Sequence, residues 1–488
     1  MTLHSNLEKA FNPRAVAIVG VSSREKPLHP GYTGLRFLRM LKSSGFEGRI
    51  YPINSKADEI EGAMVYPSLS SVPEPLDLVI ITVPAASVPG VLEDCAKVGA
   101  CNVHICSSGF DETGELEGKM LEERLREIAL RGGLRAIGPN CMGYHVPSVG
   151  LRMYEDVPLL QGPVAFVSQS GSYGVYFVQQ CAAEGIGFSK AISYGNALVM
   201  DATDYLEYLA TDPETQIICM YLEGIKDGGK LTELVRRTSP TKPIIIWKGG
   251  VTESGSRAVA THTGTLAGDG QIWDAFFKQT GAIMVASLEE MVDATMTLLR
   301  LRPASGRRVA VLGNAGGGTN VARGDICAEE GLEMPVLSQE TRTKLMEFVS
   351  LVNQSVMNPM DVPGVLIDAS QLGRTLGLLS ADPLIDFIII HMADNFFDML
   401  TARAGSAQAA SAVKECISGF AGGGWSGKPV VVAMQAIDRY GNAAEFAEHM
   451  KDTGITVYAS LRRACRALNR FACYHEFVAG STMPSIPI

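Results

Sequence analysis

Three stretches of this sequence begin in the same way, and they are almost equally spaced. Val16 opens VAIVGVSS, Val164 opens VAFVSQSGSYG and Val309 opens VAVLGNAGGG. Each is a short apolar run rich in β-branched residues. Each ends in a turn of small residues and leads into a helix-like stretch, the pattern of the first βα unit of a doubly wound domain. The starts lie 148 and 145 residues apart, about one α/β domain each. A chain of 488 residues is also too long for a single hydrophobic core. The pattern predicts an α/β protein of three consecutive Rossmann-like or flavodoxin-like doubly wound domains, over 1–150, 151–303 and 304–488.

Further strands follow each start. The first domain continues with RIYPIN from Arg49, LDLVIITVPA from Leu76, NVHICSSGF from Asn102 and LRAIGPN from Leu134. Helix-length segments, such as 87–98 and 116–129, separate them. The second domain has FSKAISYGN, IICMYLEG and PIIIWKGG. The third has DFIIIHMAD and PVVVAMQ, with a loop-rich stretch around Asn358 to Gly364. Hydrophobicity along these runs is continuous rather than alternating, as expected of strands covered on both faces.

Charge and composition remove whole classes of function. The net charge is −10 and the pI about 5.4, which argues against a broad nucleic-acid surface. Anionic ligands must then be held locally, by helix N-termini and a few basic residues. No run of about 18 apolar residues exists, so no membrane span is expected. The N-terminus has neither an apolar signal core nor an Arg-rich transit pattern. Ten cysteines form no C-x-x-C pair and no Cys/His ligand spacing, so no metal site is expected and a reduced, cytoplasmic compartment fits.

In open parallel sheets, ligands bind beyond the carboxyl ends of the strands. In the first domain those ends carry Gly20, Ser22 and Ser23, then Lys56, Val83 and Pro84, Ser108 and Gly109, and Asn140. Small and hydroxyl residues there let backbone N–H groups approach a nucleotide or phosphate. NAD is the rival ligand. The first turn lacks the full G-x-G-x-x-G, and the second strand ends at Asn54, where an NAD site supplies an acidic residue for the ribose. A nucleotide with a 3′-phosphate, such as CoA, suits that absence, with Lys56 as a candidate phosphate contact. Gly20 as a mere tight turn and Lys56 as a solvated lysine are the plainer alternatives.

The second domain ends its strands at Ser168-Gln169-Ser170-Gly171, at Gly195-Asn196, at Glu223-Gly224 and at Lys248-Gly249. A Gly- and Ser-rich stretch, ESGSRAVATHTGTLAG, then follows with His262 at its centre. Ser170 and Gly171 lie where a helix begins, so free N–H groups face any anion bound there. A carboxylate such as Glu223 can fix a histidine tautomer and leave the other ring nitrogen nucleophilic. Ser168, Ser170, Gly171, Glu223 and His262 together would serve a phosphohistidine, and Asn140 and Asn196 are candidate substrate contacts. The residues alone leave a second reading open: His262 as a solvated side chain and Glu223 as a strand-end salt-bridge partner.

With these motifs in place, the sequence resembles the alpha subunits, or alpha-like halves, of ADP-forming acyl-CoA synthetases, relatives of succinyl-CoA synthetase. The matching stretches are VAIVGVSS, GRIYPINSK, VIITVPA, SSGF, IGPNCMG, FVSQSGSYG, SYGN, YLEGIKDG, the Lys-Gly at Lys248 and THTGTLAG, with NAGGG and NPMDV extending them past residue 314. The resemblance implies that the first domain binds CoA, that His262 is phosphorylated, that Glu223 supports it, and that Ser168, Ser170 and Gly171 cradle the phosphoryl group. It implies an acid, CoA, phosphate and ATP or ADP as reactants. No ATP-grasp-like domain follows residue 300, so a partner beta subunit of that kind, bringing Mg²⁺ with the nucleotide, and a hetero-oligomer are also implied. Thr261 and Gly318 depart from the family's usual serine and proline, and aromatic residues at 173–177 stand where small ones are usual. They would narrow the acyl pocket or repack a helix. A different class of function, a CoA- or acyl-CoA-binding scaffold or sensor without ligase activity, is the alternative.

Overall fold

The continuous apolar runs form the central strands of three sheets. The computed structural model describes residues 3–23, 33–152, 154–263, 270–304, 306–314, 316–393, 395–404, 407–420, 427–435, 450 and 453–481. The first sheet is built from β1 (Ala15–Val19), β2 (Arg49–Ile53), β5 (Leu78–Ile81), β6 (Asn102–Ile105) and β7 (Arg135–Ile137). A short antiparallel ribbon, β3 (Glu59–Ile60) and β4 (Ala63–Met64), lies beside it in sequence. The second sheet contains β8 (Gly143–His145), β9 (Gln161–Ser168), β10 (Phe188–Ser193), β11 (Ile217–Leu222), β12 (Ile244–Lys248) and β13 (Ile283–Val285). The third contains β14 (Val309–Gly313), β15 (Met360–Asp361), β16 (Phe387–Ala393), β17 (Val430–Gln435) and β18 (Thr456–Tyr458).

The strand orders are β2-β1-β5-β6-β7, β13-β12-β11-β9-β10-β8 and β15-β14-β16-β17-β18. In the first and third sheets the parallel strands, counted within each sheet, follow the order 2-1-3-4-5, the flavodoxin-like doubly wound arrangement. The parallel strands of the second run β10-β9-β11-β12-β13 from the edge that carries β8, which is the same order. Each sheet therefore has a switch point beside its first parallel strand, where ligand crevices form. The expected fold class is what the chain adopts. Strands β1, β5, β6, β10 and β11 are buried along their whole length, which explains their unbroken hydrophobicity.

Two features are hidden in the sequence. The residues Gly143–His145, which read as part of the first domain, pair antiparallel with Ser193–Ala191 on the edge of the second sheet. The first two sheets also share one hydrophobic cluster. It joins Ile18, Leu38 and Ile80 to Val167, Ile192, Met220 and Ile246. Phe11 of the N-terminal helix Leu3–Phe11 packs within it against the rings of Tyr144 and Tyr208, at 5.1 and 4.9 Å. Burial of each such side chain contributes roughly 1.5–3 kcal/mol, so the two sheets stabilise one another through this layer.

By contact density the chain divides into two units, 1–291 and 292–488. The second unit has its own core, around Leu312, Ile388, Ile390 and Val432. Its loop-rich stretch is partly ordered by Asn358. That side chain donates to Val309 O (2.8 Å) and Pro335 O (3.0 Å) and accepts from Val311 N (3.1 Å). The amide serves as a further rung beside β15, which is only two residues long, and the short helix Pro363–Leu366 follows. None of the ten cysteines is in a disulfide.

Candidate active site

Along the carboxyl edge of the first sheet the anticipated ligand contacts fall into a single row. Gly20 has φ +100°, and a Cβ there would lie 2.9 Å from Thr82 Oγ1 and 3.0 Å from Val83 Cγ1. Only glycine allows the β1 turn to pass so close to the end of β5. The helix Gly34–Ser43 starts against the same turn, with a Cβ at Gly34 only 2.8 Å from Val21 N. Asn54 donates its amide to Val21 O at 2.5 Å and accepts from Lys56 N at 2.8 Å. The position that would hold an acidic ribose partner in a dinucleotide site is therefore committed to fixing the turn.

Ser22, Ser23, Lys56 and Gly109 flank this row. Along it the surface is one of backbone and small side chains, with Val83, Pro84 and Ser108 between the ends of β5 and β6. Ser107 Oγ donates to Val83 O at 2.5 Å, tying the neighbouring loops together. The glycine at 20 thus serves the packing of the β1 turn on the end of β5, and the exposed Ser22, Ser23 and Lys56 stand beside it.

The second sheet is different. Ser168 is fully buried and its Oγ donates to Ser170 O at 2.6 Å. Ser170 caps the helix Gly171–Ala183 by accepting from Tyr173 N at 3.4 Å. Both hydroxyls thus shape the helix start, and with Tyr173 N taken by the cap, the N–H groups of Gly171 and Ser172 are what it offers an anion.

Beside that start lies a polar network. Gln169 Oε1 accepts from Glu223 N (3.0 Å), Gly224 N (3.2 Å) and the Tyr194 hydroxyl (3.4 Å). The Tyr221 hydroxyl donates to Glu223 Oε1 at 3.3 Å. Lys248 Nζ donates to Glu223 O at 2.8 Å and to Gly249 O. Gln169, Glu223 and Lys248 are 6%, 6% and 4% exposed, so they act on one another in a low-dielectric setting. Burial lowers the Lys248 ammonium from the usual lysine range, and the Glu223 charge opposes that shift. Burial first, and then the Glu223 charge, pushes the Tyr221 phenol up.

In the aromatic run at 173–177, Tyr173 and Phe177 pack against other rings, while Tyr176 is 52% exposed. Phe177 is fully buried, 4.5 Å from the Phe166 ring. Tyr173 joins Tyr221 and Trp247 at centroid distances of 4.7 and 4.6 Å.

His262 lies in a helix, Glu253–Thr263, not in a loop. Its Gly- and Ser-rich neighbours suggest a loop, but Arg257-Ala258-Val259-Ala260 between them favours helix. Thr252 Oγ1 accepts from Gly255 N at 3.1 Å at the helix start, and Arg257 pairs with Glu253 at 2.6 Å one turn apart. This helix runs against the turn Asp111–Thr113, which follows β6 of the first sheet. The side chain of His262 lies outside the described residues, as do residues 264–269.

Asn140 and Asn196 meet at the seam of the two sheets, with Asn140 Nδ2 donating to Asn196 Oδ1 at 3.5 Å. The amide of Asn196 also donates to Glu112 and Glu122. Gln169, Tyr221, Glu112 and Glu122 were not anticipated. Gln169 sits within the SQSG strand end and could have been found there. Glu112 and Glu122, ten residues apart on a turn and a helix, carry no periodic signal. Among the described residues, no group of three or more His, Cys, Asp or Glu is placed to hold a metal ion. Among the same residues, no helix is long and apolar enough to cross a membrane.

Known proteins resemble the chain across both of these layers. A family described as "CoA binding domain" matches residues 14–147, and "Succinyl-CoA ligase like flavodoxin domain" matches residues 161–298. The alpha subunit of acetate–CoA ligase [ADP-forming] II from Pyrococcus furiosus is 37% identical, over 93% of this chain and 94% of its own. Acetate–CoA ligase [ADP-forming] I from Archaeoglobus fulgidus is 36% identical over 78% of this chain, but over only 54% of its own length. The dinucleotide-forming acetyl-coenzyme A synthetase 1 of Ca. Korarchaeum cryptofilum, solved with phosphate and ADP, aligns with a TM-score of 0.81 at 33% identity, covering 98% of this chain and 99% of that one. Likeness that runs through both matched domains and nearly the whole length of an alpha subunit places the chain in the family of ADP-forming acyl-CoA synthetase alpha subunits, as a ligase chain with a CoA-binding domain.

Proposed function

We propose that this chain is the CoA-handling, phosphohistidine-bearing subunit of an NDP-forming acyl-CoA synthetase. It works reversibly on a small carboxylic acid, CoA and a nucleoside triphosphate. The observation that carries the reading is the arrangement within one unit of two edges and a helix. The glycine-turned edge of the first sheet and the Gln169–Glu223–Lys248 network of the second are both present, and the helix containing His262 leans on the turn that follows β6.

In the acyl-CoA-consuming direction, a phosphate oxygen attacks the thioester carbonyl. The C–S bond breaks, CoA leaves as the thiol, and acyl phosphate remains. A ring nitrogen of His262 then takes the phosphoryl group, and the carboxylate leaves. Transfer from phosphohistidine to a nucleoside diphosphate regenerates the triphosphate. The work of the chain is to position reactants and stabilise developing charge, the main contributions in phosphoryl transfer. The first-turn N–H groups of the helix at Gly171 suit the phosphoryl oxygens. Glu223, anchored by Tyr221, suits the orientation of an imidazole.

Glycines and small residues at the first edge suit CoA, with Gly20, Ser22, Ser23, Val83, Pro84, Ser108 and Gly109 along the row and Lys56 at its end. The nucleotide site belongs on an ATP-grasp beta subunit, where Mg²⁺ accompanies ATP or ADP, and the two form a hetero-oligomer. The longer relative, only about half of which this chain spans, fits that division of labour. Ten thiols without a disulfide suit a reducing cytoplasm.

The test is intact-protein mass under alkaline conditions, after incubation with phosphate and a panel of acyl-CoA thioesters, with and without the co-purified partner. Wild type should gain an acid-labile phosphate with the preferred acyl group. His262→Ala should gain none and lose turnover while still binding CoA. Phosphate on neither protein, with the partner present, would leave a CoA-binding scaffold as the reading.

A further inference from the structure

One side chain of the second sheet holds a loop of the first. Asn196 follows β10, and Gly195 before it has φ +59°. A Cβ on Gly195 would lie 2.3 Å from Pro139 O, so the turn is pressed against the end of β7. Asn196 N donates to Pro139 O at 3.1 Å. From there Asn196 Nδ2 donates to Glu112 Oε2 at 2.7 Å and to Glu122 Oε2 at 2.9 Å. Those carboxylates hold three consecutive backbone N–H groups. Glu112 Oε1 accepts from Gly109 N (2.5 Å) and Phe110 N (3.2 Å), and Glu122 Oε2 accepts from Asp111 N (3.2 Å).

An amide nitrogen has two hydrogens and can serve two acceptors at once. Without it, the two carboxylates would lose the one donor they share, and Glu122 would keep Asp111 N and the Arg126 guanidinium at 3.9 Å. Glu122 is 5% exposed, and burial raises its carboxyl above the ordinary range. Both amide hydrogens of Asn196 are thereby taken, which leaves the side chain no donor for a substrate.

The segment so held has two ends with different duties. Ser108 and Gly109 lie on the CoA edge, and Asp111–Thr113 is the turn against which the His262 helix runs. We infer that Asn196 is a positioning residue, which sets the register between bound CoA and the phosphohistidine helix. The inference rests on the functional reading above. Its effect falls on discharge of the phosphohistidine into acyl-CoA, at the second step: the acid carboxylate takes the phosphoryl group, and CoA thiol then displaces phosphate from the acyl phosphate. Charging of His262 by the nucleoside triphosphate, at the partner's site, does not depend on that register.

The experiment uses the full chain with its nucleotide-binding partner, and measures charging by quenched flow and acid-labile phosphate on the protein, and discharge by the rate at which acyl-CoA forms from the charged protein, acid and CoA. Asn196→Asp removes the donor and adds a third carboxylate. It should slow discharge by about tenfold to a hundredfold, in the range of an ångström-scale misplacement, and leave charging within about twofold. Glu112→Gln alone sets amide against amide and should give the same selective defect. Should Asn196→Asp fail to fold, Glu112→Gln alone decides. Discharge at the wild-type rate in Glu112→Gln, or charging slowed as much as discharge in either folded variant, overturns the inference. Absence of phosphate on the wild-type chain overturns the functional reading itself, and this inference with it.

Discussion

The carboxyl edges of the first and second sheets share a topology and present opposite chemistries. At the first, Ser22, Ser23 and Lys56 are exposed, and the close approaches are made by glycines and backbone. At the second, Gln169, Glu223 and Lys248 are buried and bonded to one another before any ligand arrives. A ligand that brings its own phosphates needs a cradle of N–H groups and room. A group transfer needs charges already fixed where water is excluded. On the proposed function, the same strand order serves binding in one layer and chemistry in the next.

That contrast can be attacked from its strong side first. Glu223→Gln should lower turnover by about a hundredfold or more, as for loss of one charge-stabilising group, and CoA affinity measured by calorimetry should stay within about twofold. A loss of CoA affinity as large as the loss of turnover would erase the distinction between the two edges. Next in size is Gly109→Ala, at φ +108° and with the new Cβ 3.2 Å from Ala85 Cβ. Strain of about 1–3 kcal/mol should weaken CoA binding by about tenfold, while charging of His262 by the nucleotide is unaffected. The smallest effect is expected at Lys56→Ala. An exposed lysine contributes about 0–1 kcal/mol to an ion pair, so the CoA dissociation constant should rise by no more than about fivefold, and the rise should shrink in high salt.

Much of this was legible in the sequence, for identifiable reasons. Strands buried on both faces announce themselves as unbroken apolar runs, as at β1 and β14. Because ligands of doubly wound sheets sit past strand ends, Gly20, Ser108, Ser170 and Glu223 could be nominated by position alone.

What failed was non-local or short. Gly143–His145 is three residues, and its partner Ala191–Ser193 lies far along the chain, so nothing in the segment reveals the pairing. The helix bearing His262 is obscured by glycines and serines on either side of four helix-compatible residues. Asn196 reads as a substrate contact because its strand-end position is visible in the sequence and its partners, Glu112 and Glu122, are not. A carboxamide between two carboxylates is a tertiary fact. It exists only after the turn at Asp111 and the helix Leu116–Arg131 have folded beside the second sheet.

The strand Gly143–His145 has a further consequence, for how the chain is made and cut. A ribosome delivers it directly after the last strand of the first sheet, but its strand partner, β10, emerges about fifty residues later. Until then the nascent first layer carries an unsatisfied strand and the bare side of a hydrophobic cluster meant for two sheets. Such surfaces are what chaperones capture during synthesis. A cut at residue 150 would therefore release two damaged fragments, one with an uncovered apolar face and one with a new open edge. A folded piece of this half of the molecule is expected to need both layers together, and expression of residues 1–150 alone checks it.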